Sequence, residues 1–346
     1  LQRSSNNILV NSNQNFDANL NKIFFKDLGI KKPDYDLKVN QKISTIQKIS
    51  KYISTLEKIL IKEKPNCVVY LGDTNTCFAL IAVKKLKIPI FHFEAGNRCF
   101  DERVPEEVNR RFADHISDIN LVYSEHARRN LISEGIDKYR IINTGSPMLE
   151  VLNENKEKIA NSNILKKLNL KKKKFILISF HREENLDNPK IFTFFEKLIH
   201  QLVKKYKIKI LVSTHPRLKI KMKNSIRIDK NIIFHEPFCF SDYINLQLNS
   251  LLNLSDSGTL MEETSILKTK SILLREKHER QEGTDEGVMI TSKLNSKFII
   301  EKIDLILKSQ DNFSIPSAYN KNNFSEIALK AIYSYTDYID DYIWFK

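Results

Sequence analysis

From Pro65 onward the chain switches repeatedly between short β-rich apolar runs and stretches of helical periodicity. That alternation is the signature of βαβ units, and it restricts the chain to an α/β fold built on parallel sheets. The runs Cys67 to Leu71, Ile88 to Phe93, Ile119 to Tyr123 and Ile141 to Thr144 are predicted strands, with helices near Thr76 to Leu86, Pro105 to His115 and Glu125 to Glu134. Their near-continuous apolar character suits central strands covered on both faces. A second set follows the polar, Lys- and Asn-rich segment Asn153 to Lys173, which reads as a linker. Its predicted strands are Phe175 to Phe180, Ile208 to Ser213, Ile232 to Phe234, Leu251 to Leu254 and Ser271 to Leu274. Helices fit Pro189 to Lys205, Asp242 to Asn249 and Leu260 to Leu267. At 346 residues, 41% of them hydrophobic, the chain is long enough for two domains that each bury a core.

Other classes are less well served by the residues. No run of about 18 apolar residues exists, and Leu1 to Asn7 lack the apolar centre of a secretory signal, so a cytosolic protein with no membrane segment is expected. Cys67, Cys77, Cys99 and Cys239 show no C-x-x-C spacing and read as reduced, mostly buried thiols, Cys99 being the possible exception. With no metal-ligand spacing and no G-x-G-x-x-G turn, neither a metal nor a nicotinamide cofactor is expected. A formal charge of +14 raises the question of nucleic acid. The lysines are spread along the whole chain, no nucleic-acid module is recognisable, and the dense run Lys171 to Lys174 reads as a solvated loop.

In open α/β sheets, ligands bind beyond the carboxyl ends of the strands. That rule selects Gly72-Asp73-Thr74, Glu94-Ala95-Gly96, His181-Arg182, His215-Pro216-Arg217 and Ser255 to Thr259, each directly after a predicted strand. Ser257-Gly258-Thr259 lies between a strand and a helix, where free backbone N–H groups and the helix dipole favour a phosphate. Glu262 and Glu263, one turn into that helix, could accept the hydroxyls of a ribose; ordinary helix capping explains the same residues. His181, Arg182, His215 and Arg217 end neighbouring strands and could converge on an anion. The first half supplies acids instead: Asp73, Glu94 and the pair Glu106-Glu107. Acids opposite a phosphate cradle suggest proton transfer beside a phosphate leaving group, although Glu106-Glu107 after Pro105 also complement a helix dipole.

Seven stretches carry a resemblance: Y-L-G-D-T-N-T, H-F-E-A-G-N-R-C-F-D-E-R-V-P-E-E-V-N-R-R, N-T-G-S-P-M, S-F-H-R-E-E-N, S-T-H-P-R, S-D-S-G-T-L-M-E-E and R-E-K-H-E-R-Q-E-G. In order, they resemble the motifs of the non-hydrolysing UDP-N-acetylglucosamine 2-epimerase family from about Ile8 to the C-terminus. The E-A-G-N-R-C-F-D and H-E-R-Q-E-G versions look most like the branch that forms UDP-N-acetyl-L-fucosamine from UDP-2-acetamido-2,6-dideoxy-L-talose for capsule or O-antigen polysaccharide.

The resemblance implies two Rossmann-like domains in a glycosyltransferase-B-like arrangement, with a UDP-sugar in the interdomain cleft, no cofactor, and a homodimer. Domain limits are expected at 1–152 and 153–325, with 326–346 a C-terminal helix returning to the first domain. It implies that Asp73, Glu94 and Glu106 are catalytic carboxylates and that His181 acts with them at the phosphate. Ser257, Gly258, Thr259 and Glu263 would hold diphosphate and ribose, and Arg98, Arg182, His215, His278 and Arg280 complete the substrate contacts. The implied reaction removes the proton at C2 as UDP leaves C1, then re-adds UDP to the 2-acetamidoglycal with protonation on the opposite face. The family opens with a strand and a G-T-R-P-E loop that this chain does not contain, so a missing first strand and a weakly active chain are expected. A glycosyltransferase of the same fold is the alternative enzyme.

Overall fold

The computed structural model describes residues 4–12, 18–40, 42–180, 189–214, 229–310 and 312–346. The chain divides into two units: Leu1–Ala18, Lys31–Glu150 and Ser317–Lys346 form the first, and Asn19–Ile30 with Val151–Pro316 the second.

In the first unit β1 (Val10–Asn11) pairs in parallel with β2 (Tyr35–Asp36). A separate four-stranded parallel sheet runs in the order β3 (Val68–Leu71), β4 (Ile90–Ala95), β5 (Ile119–Val122) and β6 (Ile141–Asn143). Successive residues of β4 take opposite faces, as strand geometry requires. Ile90 packs with Leu60, Val83 and Ala113, whereas Phe91 packs with Leu121, Ile332 and Ile339. The second of those layers comes from the helix Phe324–Ile339, which covers one face of this sheet. On the other face lies the helix Thr45–Glu63, begun by a capping box between Ser44 and Gln47. The predicted helix Thr76 to Leu86 is instead a 3-10 turn, Asn75–Ala79, followed by the helix Leu80–Lys85.

In the second unit β7 (Phe175–Phe180), β8 (Lys209–Thr214), β9 (Ile232–His235), β10 (Leu252–Ser255), β11 (Ser271–Leu273) and β12 (Ile290–Thr291) form one parallel sheet. Its spatial order is β12-β11-β10-β7-β8-β9. Every residue of β7 is buried, and its two faces feed two cores. Ile176, Ile178 and Phe180 pack with Phe195, Leu198 and Ile303; Phe175 and Leu177 pack with Leu170, Phe238 and Leu246. The order reverses between β7 and β10, so the turn after β10 lies at a topological switch point, where such sheets bind ligands.

The helix Ala18–Asp27 precedes most of the first unit in sequence, yet Asn19–Ile30 clusters with the second unit. The Asp27 carboxylate accepts the Ser241 N–H at 2.8 Å and the Ser241 hydroxyl at 3.1 Å. It thereby satisfies donors in the first turn of the helix Phe240–Asn249, a capping role taken by a residue 214 positions away.

Candidate active site

The strands β3 and β4 are hydrogen-bonded neighbours, with Leu71 opposite Phe93, so Asp73 and Glu94 emerge beside one another at the same end of the sheet. The helix Pro105–Ile116 supplies the third acid. Proline at its first turn fixes φ for a helix start, and Glu106 and Glu107 lie on the positive end of its dipole. Glu106 and Arg110 are four residues apart and share a helix face. Arg110 donates to Asp73 Oδ2 from Nη2 at 2.7 Å and from Nε at 3.2 Å, which brings Asp73 to the face that carries Glu106. Asn109 Nδ2, donating to Asn75 Oδ1 at 3.2 Å, ties the same helix to the turn after Asp73. Glu106 Oε2 is buried and has no hydrogen-bond partner among the described residues. A buried acceptor left in that state is costly unless a ligand donor meets it.

Glu94 has φ +64, in the left-handed region that non-glycine residues seldom occupy, and the pairing with β5 shifts register between Phe93 and Ala95. The bulge re-aims the side chain at the strand end. Asn97 Nδ2 lies 3.4 Å from Glu94 Oε1. The Arg98 side chain is fully buried, donates to Asp114 Oδ2 at 2.7 Å and forks onto both Glu134 oxygens at 2.7 and 2.5 Å. These bonds hold the loop that follows Glu94.

Glu107 is fully buried and accepts the Cys99 N–H at 3.0 Å, the Cys99 thiol at 3.2 Å, the Phe100 N–H at 3.2 Å and Arg110 Nη1 at 3.2 Å. Burial first, and then the Glu107 carboxylate, push the Cys99 thiol up from its ordinary value, so it is a protonated donor. This stabilises the loop 97–104 against the helix.

In the second unit the turn after β10 is built from small hydroxyl residues. Ser257 N–H donates to Ser255 Oγ at 3.1 Å, Ser257 Oγ lies 3.0 Å from Thr259 Oγ1, and Thr259 Oγ1 donates to Glu263 Oε1 at 2.9 Å. Gln247 Nε2 donates to the other Glu263 oxygen at 2.5 Å. Burial raises the Glu263 carboxyl above the usual carboxylate range, against the lowering effect of Gln247 and Thr259. At Gly258 a Cβ would stand 2.7 Å from Glu279 Oε1, so a side chain there would have to displace that carboxylate. Arg275 fixes that region by donating to the Asp256 carbonyl at 2.5 Å and to Glu279 Oε2 at 3.3 Å. His278 accepts the Arg280 N–H at Nδ1, 3.2 Å away, and burial lowers its pKa. The Arg280 side chain is only 3% exposed and ion-paired with Glu262 at 2.8 Å, buried within the unit like Arg98 in the other. His181, Arg182 and His215 lie outside the described residues.

The sequence singles out the acids, Glu107 among them, and the Ser-Gly-Thr turn, but not Arg110, His92 and Asp114, which hold the loops that carry Asp73 and Glu94. The available signal was spacing, since Arg110 and Asp114 repeat at four-residue intervals from Glu106 along one helix. Among the described residues, no group of three or more His, Cys, Asp or Glu side chains is placed to hold a metal ion.

Two Rossmann-like units, one presenting carboxylates at its sheet end and the other a hydroxyl-lined strand-to-helix turn, define an α/β protein of glycosyltransferase-B-like fold. The UDP-N-acetylglucosamine 2-epimerase family model matches residues 1–332. The UDP-N-acetylglucosamine 2-epimerase from Rickettsia bellii is 42% identical, superposes with a TM-score of 0.89, and the match covers 98% of this chain and 92% of that one. The Methanocaldococcus jannaschii UDP-GlcNAc 2-epimerase, solved in complex with UDP-GlcNAc and UDP, is 31% identical over 94% of this chain and 91% of its own, with a TM-score of 0.86. A Pseudomonas aeruginosa UDP-2,3-diacetamido-2,3-dideoxy-D-glucuronate 2-epimerase is 31% identical over 87% of this chain and 84% of its own. The chain belongs to the UDP-N-acetylglucosamine 2-epimerase family and is an isomerase. These relatives bear the names of different sugars, and none of the three is named for an L-fucosamine precursor.

Proposed function

We propose that this enzyme inverts C2 of a UDP-N-acetylhexosamine by eliminating and re-adding UDP. One carboxylate among Asp73, Glu94 and Glu106 takes the C2 proton. The C1–O bond breaks with its electron pair leaving on the β-phosphate, and a C1=C2 double bond forms. Re-addition reverses each change after protonation of C2 on the other face. The observation that carries the reading is the buried, unpartnered Glu106 oxygen on the helix face that also holds Asp73 through Arg110. Positioned acid–base groups contribute about 10² to 10⁴ in rate, so stabilisation of the leaving diphosphate must supply much of the remainder. Ser257, Gly258 and Thr259 serve that purpose, with Glu263 taking the ribose hydroxyls.

For the sugar, the E-A-G-N-R-C-F-D and H-E-R-Q-E-G motifs favour conversion of UDP-2-acetamido-2,6-dideoxy-L-talose to UDP-N-acetyl-L-fucosamine. The names of the Rickettsia bellii and Methanocaldococcus jannaschii relatives favour a second reading, UDP-GlcNAc to UDP-ManNAc. A cytoplasmic homodimer serving capsule or O-antigen polysaccharide extends the first reading on family resemblance alone. Incubating the protein with each UDP-sugar in D₂O and following C2 by NMR tests reaction and substrate together. Deuterium at C2 with formation of the 2-epimer is the expected result, and sugar transfer to an acceptor without C2 exchange would replace this reading with a glycosyltransferase.

A further inference from the structure

We propose that His92 and Asp114 are positioning residues, forming a buried bridge that fixes the two loops carrying Asp73 and Glu94 against each other. The consequence for catalysis rests on the function proposed above; the bridge itself does not. His92 is 1% exposed and Asp114 fully buried, so neither touches substrate. His92 Nε2 lies 3.0 Å from the carbonyl oxygen of Gly72, the residue immediately before Asp73. On the other side of the ring, Nδ1 lies 2.9 Å from Asp114 Oδ1. The Asp114 carboxylate in turn accepts the Gly96 N–H at 3.1 and 3.2 Å, two residues after Glu94. A single side chain on β4 therefore reaches one acid-bearing loop directly and the other through one carboxylate.

The second loop needs such restraint. A non-glycine residue at φ +64 is strained and persists only where its surroundings over-determine it. Gly96 is clamped from both sides: Asn130 Nδ2 donates to its carbonyl at 2.9 Å, and its own φ is +78. A Cβ at Gly96 would sit 2.4 Å from the Ala127 carbonyl oxygen, so the loop cannot retreat in that direction. Arg98, bonded to Asp114 and Glu134, closes the far side. Proton transfer is sensitive to misplacement of about 1 Å, which makes the relative placement of the two acids a quantity worth fixing.

The test uses the full chain with His92→Phe, His92→Gln and Asp114→Asn. Hydrogen–deuterium exchange is read first, because it needs no activity: His92→Phe should raise amide exchange in both 72–74 and 94–98, and unchanged exchange in either segment overturns the bridge. In turnover, His92→Phe should lower kcat at least about 10-fold while KM and UDP affinity stay within about 2-fold, and His92→Gln, which retains a donor toward Gly72, should recover part of the loss. In a background carrying both Asp73→Asn and Glu94→Gln, His92→Phe should add almost nothing, since a bridge acts through the acids it positions. Full additivity, or equal losses in kcat and UDP affinity, would overturn the positioning role. If His92→Phe does not fold, His92→Gln and Asp114→Asn carry the same two measurements. A wild-type protein that never exchanges C2 refutes the proposed function, and the exchange of amides still decides the bridge.

Discussion

The two units place polar groups at the ends of parallel sheets by opposite means. In the first, the acids stand among fixed cations: Arg110 lies between Asp73 and Glu107, and Arg98 between Asp114 and Glu134. Burial alone would raise Glu134, yet the Arg98 guanidinium, with smaller help from His115 and Arg111, more than offsets it and holds the carboxyl below its ordinary value. In the second, Glu263 faces an amide and a hydroxyl, with no cation among these bonded partners, and burial prevails. The contrast separates carboxylates whose charge is fixed by arginines, Asp73, Asp114 and Glu134, from Glu263, whose charge is left for a ligand to settle.

If the first region carries the chemistry, removing its charges should act on turnover alone. Asp73→Asn, Glu94→Gln and Glu106→Gln are each expected to lower kcat by at least about 10²-fold, with UDP affinity little changed. Stopped assays paired with calorimetric UDP titration check this, and near-normal turnover in all three variants would break the comparison. Breaking the lock itself should act on stability. Arg98→Leu leaves Asp114 buried without its guanidinium, a change that costs about 3 kcal/mol or more. Denaturant unfolding should show the loss, while UDP binding to the folded variant persists.

The second region is sharpened by a smaller change. Gly258 has ordinary φ, so alanine there meets no backbone penalty, only the Glu279 oxygen 2.7 Å away. Gly258→Ala is expected to weaken UDP about 10-fold, near 1.4 kcal/mol, with the melting temperature nearly unchanged. An undiminished affinity would remove Gly258 from the phosphate site.

The parallel sheets were legible because β7 and β5 are buried and largely apolar on both faces, a pattern that periodicity reports directly. Helix starts at Pro105 and Leu260 were legible from local chemistry. The helix Thr45–Glu63 was passed over despite its Ser44 capping box, because its lysine-rich exterior dilutes the apolar stripe. Asp27 capping a helix 214 residues away has no local signal at all, since it depends on tertiary contact. For the site, residue type singled out the acids, but whether an arginine meets a ligand or a buried carboxylate is decided by packing. Arg98 and Arg280 read as substrate contacts in the sequence, and the ion pairs each makes with a buried carboxylate have no local signal there.

The smallest expected effect concerns one proton. A carboxyl whose folded pKa lies above its unfolded value contributes stability below the unfolded pKa, and that contribution is lost as pH rises through the folded pKa. Glu263 therefore favours the unliganded second unit on the acid side, near its ordinary value of 4.5, and disfavours it above the raised value. Ribose hydroxyls donating to Glu263 would favour the ionised form, so its pKa should fall on binding. Affinity should then rise with pH through the window between those two values, with release of up to one proton, and become flat above it. UDP-GlcNAc bound to a Glu106→Gln background is the suitable ligand, since a diphosphate esterified at both ends lacks the second ionisation of UDP. Calorimetry in two buffers of different ionisation enthalpy reads the proton count. Glu263→Gln should abolish the release; proton release that is the same in that variant would assign the linkage to another group and leave Glu263 as a purely structural acceptor for Gln247 and Thr259.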